Sequence, residues 1–157
     1  IVHDNEIGQV KDLREFGPEP LSKSFTFNSF CGMVKRRPKG KIKSVLMDPI
    51  VVVGIGNIYS DEILFHAKVR PTRIVSSIKN QELRKIYDNI GKVLKQAIKY
   101  KGSSVGDFVR PDGSWGSMGK YHFVYGRRKQ KCLTCATIIE NLKLGGRTAS
   151  YCPKCQK

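Results

Sequence analysis

Hydrophobic positions recur at helical spacing through the middle of the chain, and the clearest series follows Ser77. Apolar residues three or four apart over about twenty positions predict a long amphipathic helix with one buried face. Gly102 stands just after this series, where a left-handed C′ residue commonly ends a helix. The apolar positions of this predicted helix are Leu83, Ile86, Tyr87, Ile90, Val93, Leu94, Ala97 and Ile98.

Three shorter helices are predicted before it, after a stiff GPEP linker at residues 17–20. Cys31 shares the apolar face of the first helix with Phe27, Phe30 and Val34, so we interpret it as a core residue rather than a reactive thiol. The predicted limits are a cap at Ser22 to a break at Pro38, Ile42 to a stop before Pro49, and a cap at Asn57 to Ala67.

The C-terminal part changes character, because four of the five cysteines lie in the last 26 residues. Their spacing, C-x2-C-x16-C-x2-C, predicts one tetrahedral Zn²⁺ held by Cys132, Cys135, Cys152 and Cys155. Four thiolates leave no open coordination position, so the zinc is expected to be structural. Segments 137–144 and 147–151 are predicted to pair as a hairpin around Gly145-Gly146. Residues 121–125 are predicted to form a strand leading into this module.

Charge points to a polyanionic partner. The chain carries 29 Lys+Arg against 13 Asp+Glu, a formal net charge of +16. Nucleic acid is the natural partner for such a balance, and an acidic membrane surface is the main alternative. No apolar run is long enough to span a membrane. Cysteines grouped as metal ligands indicate a reducing, cytoplasmic compartment.

The segment VVVGIGNIY at residues 51–59 carries a Gly-x-Gly turn that suggests a phosphate site. A dinucleotide fold is excluded, because Tyr59 occupies the third glycine position and residues 74–80 contain no acid. A turn between two helices can instead present backbone N–H groups to another phosphate. Six cations within residues 35–43 fit that interpretation. A tight structural connection beside a solvated basic stretch fits the spacing equally well.

At residues 46–65 the sequence LMDPIVVVGIGNIYSDEILF resembles the helix-two-turn-helix of formamidopyrimidine-DNA glycosylases, bacterial base-excision repair enzymes. GPEPLS, PTRIVSSI, VYGR and CPKCQK add to the resemblance, which runs from Gly17 to Lys157. It implies a mainly α fold, with a helix-two-turn-helix domain at 21–122 and a small β-hairpin zinc finger at 123–157. Residues 1–20 would be the end of an N-terminal catalytic β-sandwich domain and a linker, with His3 an ordinary surface residue.

The resemblance also implies roles for individual residues. Arg147, at the tip of the hairpin, would hold a phosphate beside the flipped nucleotide and donate a proton in δ-elimination. The Gly- and Ser-rich segment 103–120 would form a loop that caps the extruded base. The residues implied to contact DNA are Lys39, Lys43, Gly56, Asn57, Tyr125 and Arg147.

The activity implied for the whole enzyme is glycosylase and AP lyase action on oxidised purines, 8-oxoguanine and formamidopyrimidines, in damaged double-stranded DNA. That chemistry uses an N-terminal proline amine, whereas this chain begins Ile1-Val2-His3. We therefore expect a DNA-binding half that is inactive alone, monomeric, free of any nucleotide cofactor, and associated with the bacterial nucleoid. The alternatives are an endonuclease VIII-type glycosylase for oxidised pyrimidines and a stand-alone nucleic-acid-binding zinc module.

Overall fold

Four α-helices followed by one β-hairpin build the part of the protein that the computed structural model describes, residues 16–103 and 115–157. The predicted fold class, mainly helical with a C-terminal hairpin, is confirmed. Residues 1–15 and 104–114, which include His3 and most of the predicted capping loop, lie outside the described residues. The helices are α1 (Phe27–Lys35), α2 (Ile42–Leu46), α3 (Asn57–Ala67) and α4 (Asn80–Lys99), and the strands are β1 (Glu140–Leu144) and β2 (Arg147–Tyr151).

Two predicted helix caps are wrong. The cap of α1 is Thr26, whose Oγ1 accepts a hydrogen bond from Ser29 N at 3.2 Å. Ser22 instead donates its hydroxyl to the carbonyl of Glu19 at 2.8 Å, within a turn. Gly56 occupies the cap position of α3, so Asn57 is the first helical residue and its side chain does not cap the helix.

The main core lies where α4 crosses α1 and α3. Phe30 of α1, Ile63 and Leu64 of α3, and Ile86 and Ile90 of α4 are all fully buried there. Each such side chain contributes roughly 1.5–3 kcal/mol when it leaves water, so this contact stabilises the helical domain. No described helix is both long enough and apolar enough to cross a membrane.

The left-handed C′ residue that ends α4 is Lys101 rather than the predicted Gly102. Lys101, with φ 59°, takes the left-handed C′ position, and Gly102, with φ 85°, follows it. Gly102 N donates to Ala97 O at 2.8 Å and Lys101 N donates to Ile98 O at 3.0 Å, the two bonds of a Schellman motif. Ile98, predicted on the apolar face, is 67% exposed, whereas Ala97 beside it is buried.

The predicted strand at 121–125 is absent. Met118–Tyr121 forms a 3-10 turn, and the next residues continue in irregular backbone. The N–H groups of Phe123, Val124 and Tyr125 all donate to the carboxylate of Glu62, at 2.8 to 3.0 Å. These donors face a side chain on α3 rather than a neighbouring strand, which explains why no ladder forms.

The predicted hairpin is confirmed, although its first strand begins at Glu140 rather than at residue 137. β1 and β2 pair antiparallel, from Glu140 opposite Tyr151 to Leu144 opposite Arg147. Gly145 and Gly146 have φ of 56° and 74°, the positive values that a tight two-residue hairpin turn requires. This turn places Arg147 at the first position after the tip.

Candidate nucleic-acid interface and metal centre

The four predicted metal ligands converge at the base of the hairpin, with all their sulfur atoms within 4.8 Å of one another. Cys132 Sγ lies 3.9 Å from Cys155 Sγ, and Cys135 Sγ lies 3.5 Å from Cys152 Sγ. A tetrahedral zinc with bonds of about 2.3 Å places its sulfur ligands about 3.8 Å apart, so the donor set fits the ion. The cysteines form a single structural zinc site.

Backbone amides support these ligands. Thr134 N donates to Cys132 Sγ, and Cys155 N donates to Cys152 Sγ, each at 3.4 Å. Such N–H···S bonds stabilise thiolate charge and fix the orientation of the knuckles. Each C-x2-C pair therefore forms a preorganised half of the metal centre.

The metal centre shares a small core with α3. Phe65 of α3 and Val124 are buried together with Cys132, Ile139 and Cys152. Near the C terminus, Gln156 Nε2 donates to Val69 O at 2.9 Å, while its Oε1 accepts from Cys152 N at 2.8 Å. The zinc module is thus packed and hydrogen-bonded to the helical domain.

The turn between α2 and α3 carries the predicted phosphate site. Gly54 has φ +80°, which permits the sharp reversal, and Val52 and Ile55 anchor the turn in the core. By helix geometry the first amides of α3 have no acceptor within the helix, so they favour an anion. The buried Asn57 Oδ1 has no hydrogen-bond partner among the described residues. This oxygen can only accept a hydrogen bond, so a phosphate at this turn would have to be bound by N–H donors, those of the backbone and of the Asn57 carboxamide.

Lys43 does not lie where the resemblance implies. Its side chain is 1% exposed, and its ammonium donates to Asp61 Oδ1 at 2.5 Å and to Thr148 O at 3.1 Å. Because this ammonium is buried and donates both of these hydrogen bonds, it cannot reach a DNA phosphate in this conformation. The expectation that Lys43 contacts DNA is corrected: Lys43 joins α2, α3 and β2 inside the protein.

Burial dominates the electrostatics of this pair. Burial raises the pKa of Asp61 to about 6, although Lys43 and the Ser150 amide oppose that shift. Burial likewise lowers the pKa of Lys43, and the nearby Arg147 guanidinium lowers it further. Both partners are therefore shifted toward their neutral forms, as expected when desolvation exceeds the mutual attraction.

The remaining predicted contacts differ in exposure. Lys39, Gly56 and Arg147 are exposed, and Tyr125 is half-buried with its ring edge-on to His122 at 5.6 Å. A Cβ built on Gly145 would lie 3.6 Å from Ser44 Oγ, so the hairpin tip abuts α2. The structure thus brings the zinc hairpin beside the helices that flank the glycine turn.

Two buried acids of α3, Asp61 and Glu62, were not predicted as important residues. Burial raises the pKa of Glu62, while the three amides that it binds and Arg127 lower it. A signal was present in the sequence: apolar residues occur on more than one face of α3, which is typical of a helix buried all round. Acids inside such a helix must have internal partners.

His122 and Ser103 stand on either side of the undescribed segment 104–114 and are joined by a hydrogen bond. Ser103 Oγ lies 2.9 Å from His122 Nε2, and both residues are buried. Burial lowers the pKa of His122 below its ordinary value of 6.5. The folded protein therefore favours a neutral imidazole here.

This shift predicts a pH dependence of stability. As the pH falls below about 6.5, the unfolded chain takes up a proton at His122 before the folded chain does, so the free energy of unfolding decreases. Above about pH 6.5 His122 is neutral in both the folded and the unfolded chain, so it adds no pH dependence to the free energy of unfolding. Denaturant unfolding of zinc-loaded protein between about pH 7.5 and pH 5.5 measures it, and His122→Leu is expected to lose less stability over this range. An equal loss in both proteins would contradict the assignment.

Comparisons with known proteins agree with this architecture. A family model described as "Formamidopyrimidine-DNA glycosylase H2TH domain" matches residues 16–109, and one described as "Zinc finger found in FPG and IleRS" matches residues 129–157. A formamidopyrimidine-DNA glycosylase of Listeria monocytogenes serovar 1/2a is 39% identical over 150 residues, 96% of this chain and 55% of the relative. One from Solibacter usitatus is 42% identical over 147 residues, 94% of this chain and 54% of the relative.

Solved structures of related proteins match the fold of this chain over nearly its whole length. The MutM (Fpg) protein of Thermus thermophilus matches with a TM-score of 0.88 and 36% identity, over 99% of this chain and 59% of that one. Lactococcus lactis Fpg in complex with DNA containing an abasic site matches with a TM-score of 0.89 and 32% identity, over 99% and 57%.

Fold and site together define a helix-two-turn-helix domain joined to a zinc hairpin with four cysteine ligands. The chain belongs to the formamidopyrimidine-DNA glycosylase family. It spans about half the length of the curated relatives that it matches, 55% of the Listeria protein.

Proposed function

We propose that this chain is the DNA-gripping half of a base-excision repair glycosylase and AP lyase that acts on oxidised purines in duplex DNA. The observation that carries the proposal is the arrangement of the hairpin: a four-cysteine metal centre fixes a tip that bears the exposed Arg147 beside the helices of the glycine turn. The net charge of +16 adds long-range attraction to a polyanion.

In this proposal two parts of the molecule hold the DNA backbone. The N–H groups of the cap residue Gly56 and of Asn57, the first residue of α3, bind one phosphate together with the N–H donors of the Asn57 carboxamide. Arg147 binds another through its guanidinium fork, which matches phosphate geometry. Lys39 and Tyr125 add further backbone contacts. Lys43 is left out of this set because its ammonium is buried.

Arg147 also has the proposed role of proton donor in δ-elimination. A guanidinium carries a delocalised positive charge and a planar fork of N–H donors, so it can stabilise the charge of the departing phosphate. We expect electrostatic support of that leaving group to be the larger part of its contribution. The nucleophile would be the N-terminal proline amine of the whole enzyme, so we expect this chain alone to bind DNA without cutting it. We also expect it to bind as a monomer.

Binding and nicking assays test this function. Zinc-loaded chain is titrated into duplexes that carry 8-oxoguanine, a formamidopyrimidine, an oxidised pyrimidine, an abasic-site analogue or no lesion. The expected result is binding without strand cleavage and without borohydride trapping on an abasic site. Preference for the pyrimidine lesion would favour the endonuclease VIII-type alternative. No binding to any duplex would refute the proposal.

Asn57→Ala is expected to weaken binding of damaged and undamaged duplexes by a similar factor, about three- to tenfold, because phosphate contacts carry no base information. Fluorescence anisotropy at fixed salt measures both affinities. Asn89→Ala is the matched control, since the Asn89 side chain donates to Lys85 O on α4. A loss confined to one type of base would contradict a phosphate role.

A further inference from the structure

The buried Lys43–Asp61 ion pair joins α2 to α3 and also forms hydrogen bonds to β2. Lys43 is 1% exposed and Asp61 0% exposed, with the two charged atoms 2.5 Å apart. Replacing such a pair by apolar side chains of similar volume is often neutral or stabilising, because both charges lose their hydration. Stability alone therefore does not account for it, and its directional hydrogen bonds are the feature to explain.

Those hydrogen bonds lead to β2. Lys43 Nζ donates to Thr148 O at 3.1 Å, and Asp61 Oδ2 accepts from Ser150 N at 2.9 Å. Groups two residues apart point to the same edge of a strand, so both lie on the edge of β2 that faces away from β1. One donor and one acceptor thus occupy the open edge of the hairpin in place of a third strand.

The pair also links the two parts proposed to grip DNA. Asp61 lies one helical turn after Asn57 on α3, so the two residues share a face. Thr148 directly follows Arg147, the first residue of β2. A displacement of β2 relative to α3 would therefore change the separation of Arg147 and Asn57, and both bonds of the ion pair to β2 resist it.

We propose that the Lys43–Asp61 pair is a positioning device that holds Arg147 at a fixed place relative to the first turn of α3. The inference rests on the proposed role of Arg147 in phosphate binding. Neither Lys43 nor Asp61 touches DNA in this assignment. Their effect on binding passes through the hairpin backbone.

A double-mutant cycle on the zinc-loaded chain tests the inference. The variant Lys43→Met/Asp61→Leu removes both charges together and so avoids an unpaired buried charge. Arg147→Ala is expected to weaken DNA binding about tenfold in the unaltered chain. In the double variant the same change is expected to cost less than about twofold, because the guanidinium is no longer positioned. The effect of Asn57→Ala is expected to persist in both backgrounds.

A measurement without DNA separates this inference from the proposed function. The ¹⁵N order parameters of the Arg147 and Thr148 amides are expected to fall in Lys43→Met/Asp61→Leu while the bound zinc remains at one per chain. Unchanged order parameters together with a full Arg147→Ala effect would overturn the positioning role. If Arg147→Ala has no effect in the unaltered chain, the proposed function of Arg147 fails, and the order parameters still decide the positioning role.

Conservative replacement completes the test. Lys43→Gln/Asp61→Asn keeps a donor for Thr148 and an acceptor for Ser150 without charge, so it is expected to restore the order parameters and the Arg147→Ala effect. Loss of both in this neutral pair would overturn the hydrogen-bond argument. Should Lys43→Met/Asp61→Leu fail to bind zinc, Lys43→Met/Asp61→Asn enters the same cycle with the same expectations; it removes the ion pair and the bond to Thr148 but keeps an acceptor for Ser150 N.

Discussion

Cys155→Ser is expected to release the zinc, unfold the hairpin and lower DNA affinity by at least about tenfold. The small core around the metal centre contains few residues, so the metal supplies much of the folding free energy of this module, on the order of 10–16 kcal/mol in zinc-finger peptides. The unfolded hairpin would no longer present Arg147. Metal analysis, ¹⁵N spectra of residues 129–157 and anisotropy with duplex DNA measure the three effects.

Cys31→Ser provides the matched control for this experiment. It makes the same chemical change at a half-buried thiol that packs against the main core on α1, away from the metal centre. Zinc content and DNA affinity are expected to stay within about twofold of the unaltered protein. Retention of one zinc and full affinity by Cys155→Ser would refute the structural-zinc assignment.

Glu62→Ala is expected to produce a large loss of stability in the helical domain. The carboxylate accepts hydrogen bonds from Phe123 N, Val124 N and Tyr125 N, and the side chain is only 1% exposed. Each buried N–H left without a partner costs about 1–3 kcal/mol, and water entering the cavity offsets part of the total. We expect the free energy of unfolding to fall by roughly 3–5 kcal/mol.

Denaturant unfolding of the zinc-loaded protein at neutral pH measures this loss. Glu62→Gln is expected to lose less, because its amide oxygen still accepts from the backbone. Glu82→Ala serves as a control, since Glu82 is half-exposed and accepts one main-chain bond, from Lys79 N at the start of α4, besides a partly exposed ion pair with Arg73. The control is expected to cost about 1–2 kcal/mol, from the lost cap and the ion pair together. Equal losses at Glu62 and Glu82 would contradict the role assigned to the buried carboxylate.

Local features of the sequence predicted most of the elements correctly. The three-to-four spacing of Ile86, Ile90 and their neighbours predicted α4, because an amphipathic helix needs only its own pattern and an apolar surface to meet. The cysteine spacing predicted the metal centre, and Gly145-Gly146 predicted the hairpin turn, because both features are specified by short segments of the sequence. The caps of α1 and α3 were assigned wrongly because several nearby polar residues compete for those positions.

Interactions between distant residues produced the larger errors. Residues 121–125 were predicted as a strand, yet three of their N–H groups bind Glu62, some sixty positions earlier in the chain. Lys43 was expected at a DNA contact because the family resemblance implied one, yet its charge is buried against Asp61 and Thr148. The sequence does not distinguish a buried lysine from an exposed one, because the difference depends on the residues that surround it in the folded protein.

By itself the sequence determined the helices, the hairpin, the zinc ligands and the family, since each depends on residues close together along the chain or on an ordered series of motifs. The tertiary structure alone decided which charges face solvent and which hold the two domains together. Burial sets that division, because a charge leaves water only where a partner from another element meets it. Lys39 and Arg147 thus remain exposed, while Lys43, Asp61 and Glu62 join the helices to the zinc hairpin and its approach segment.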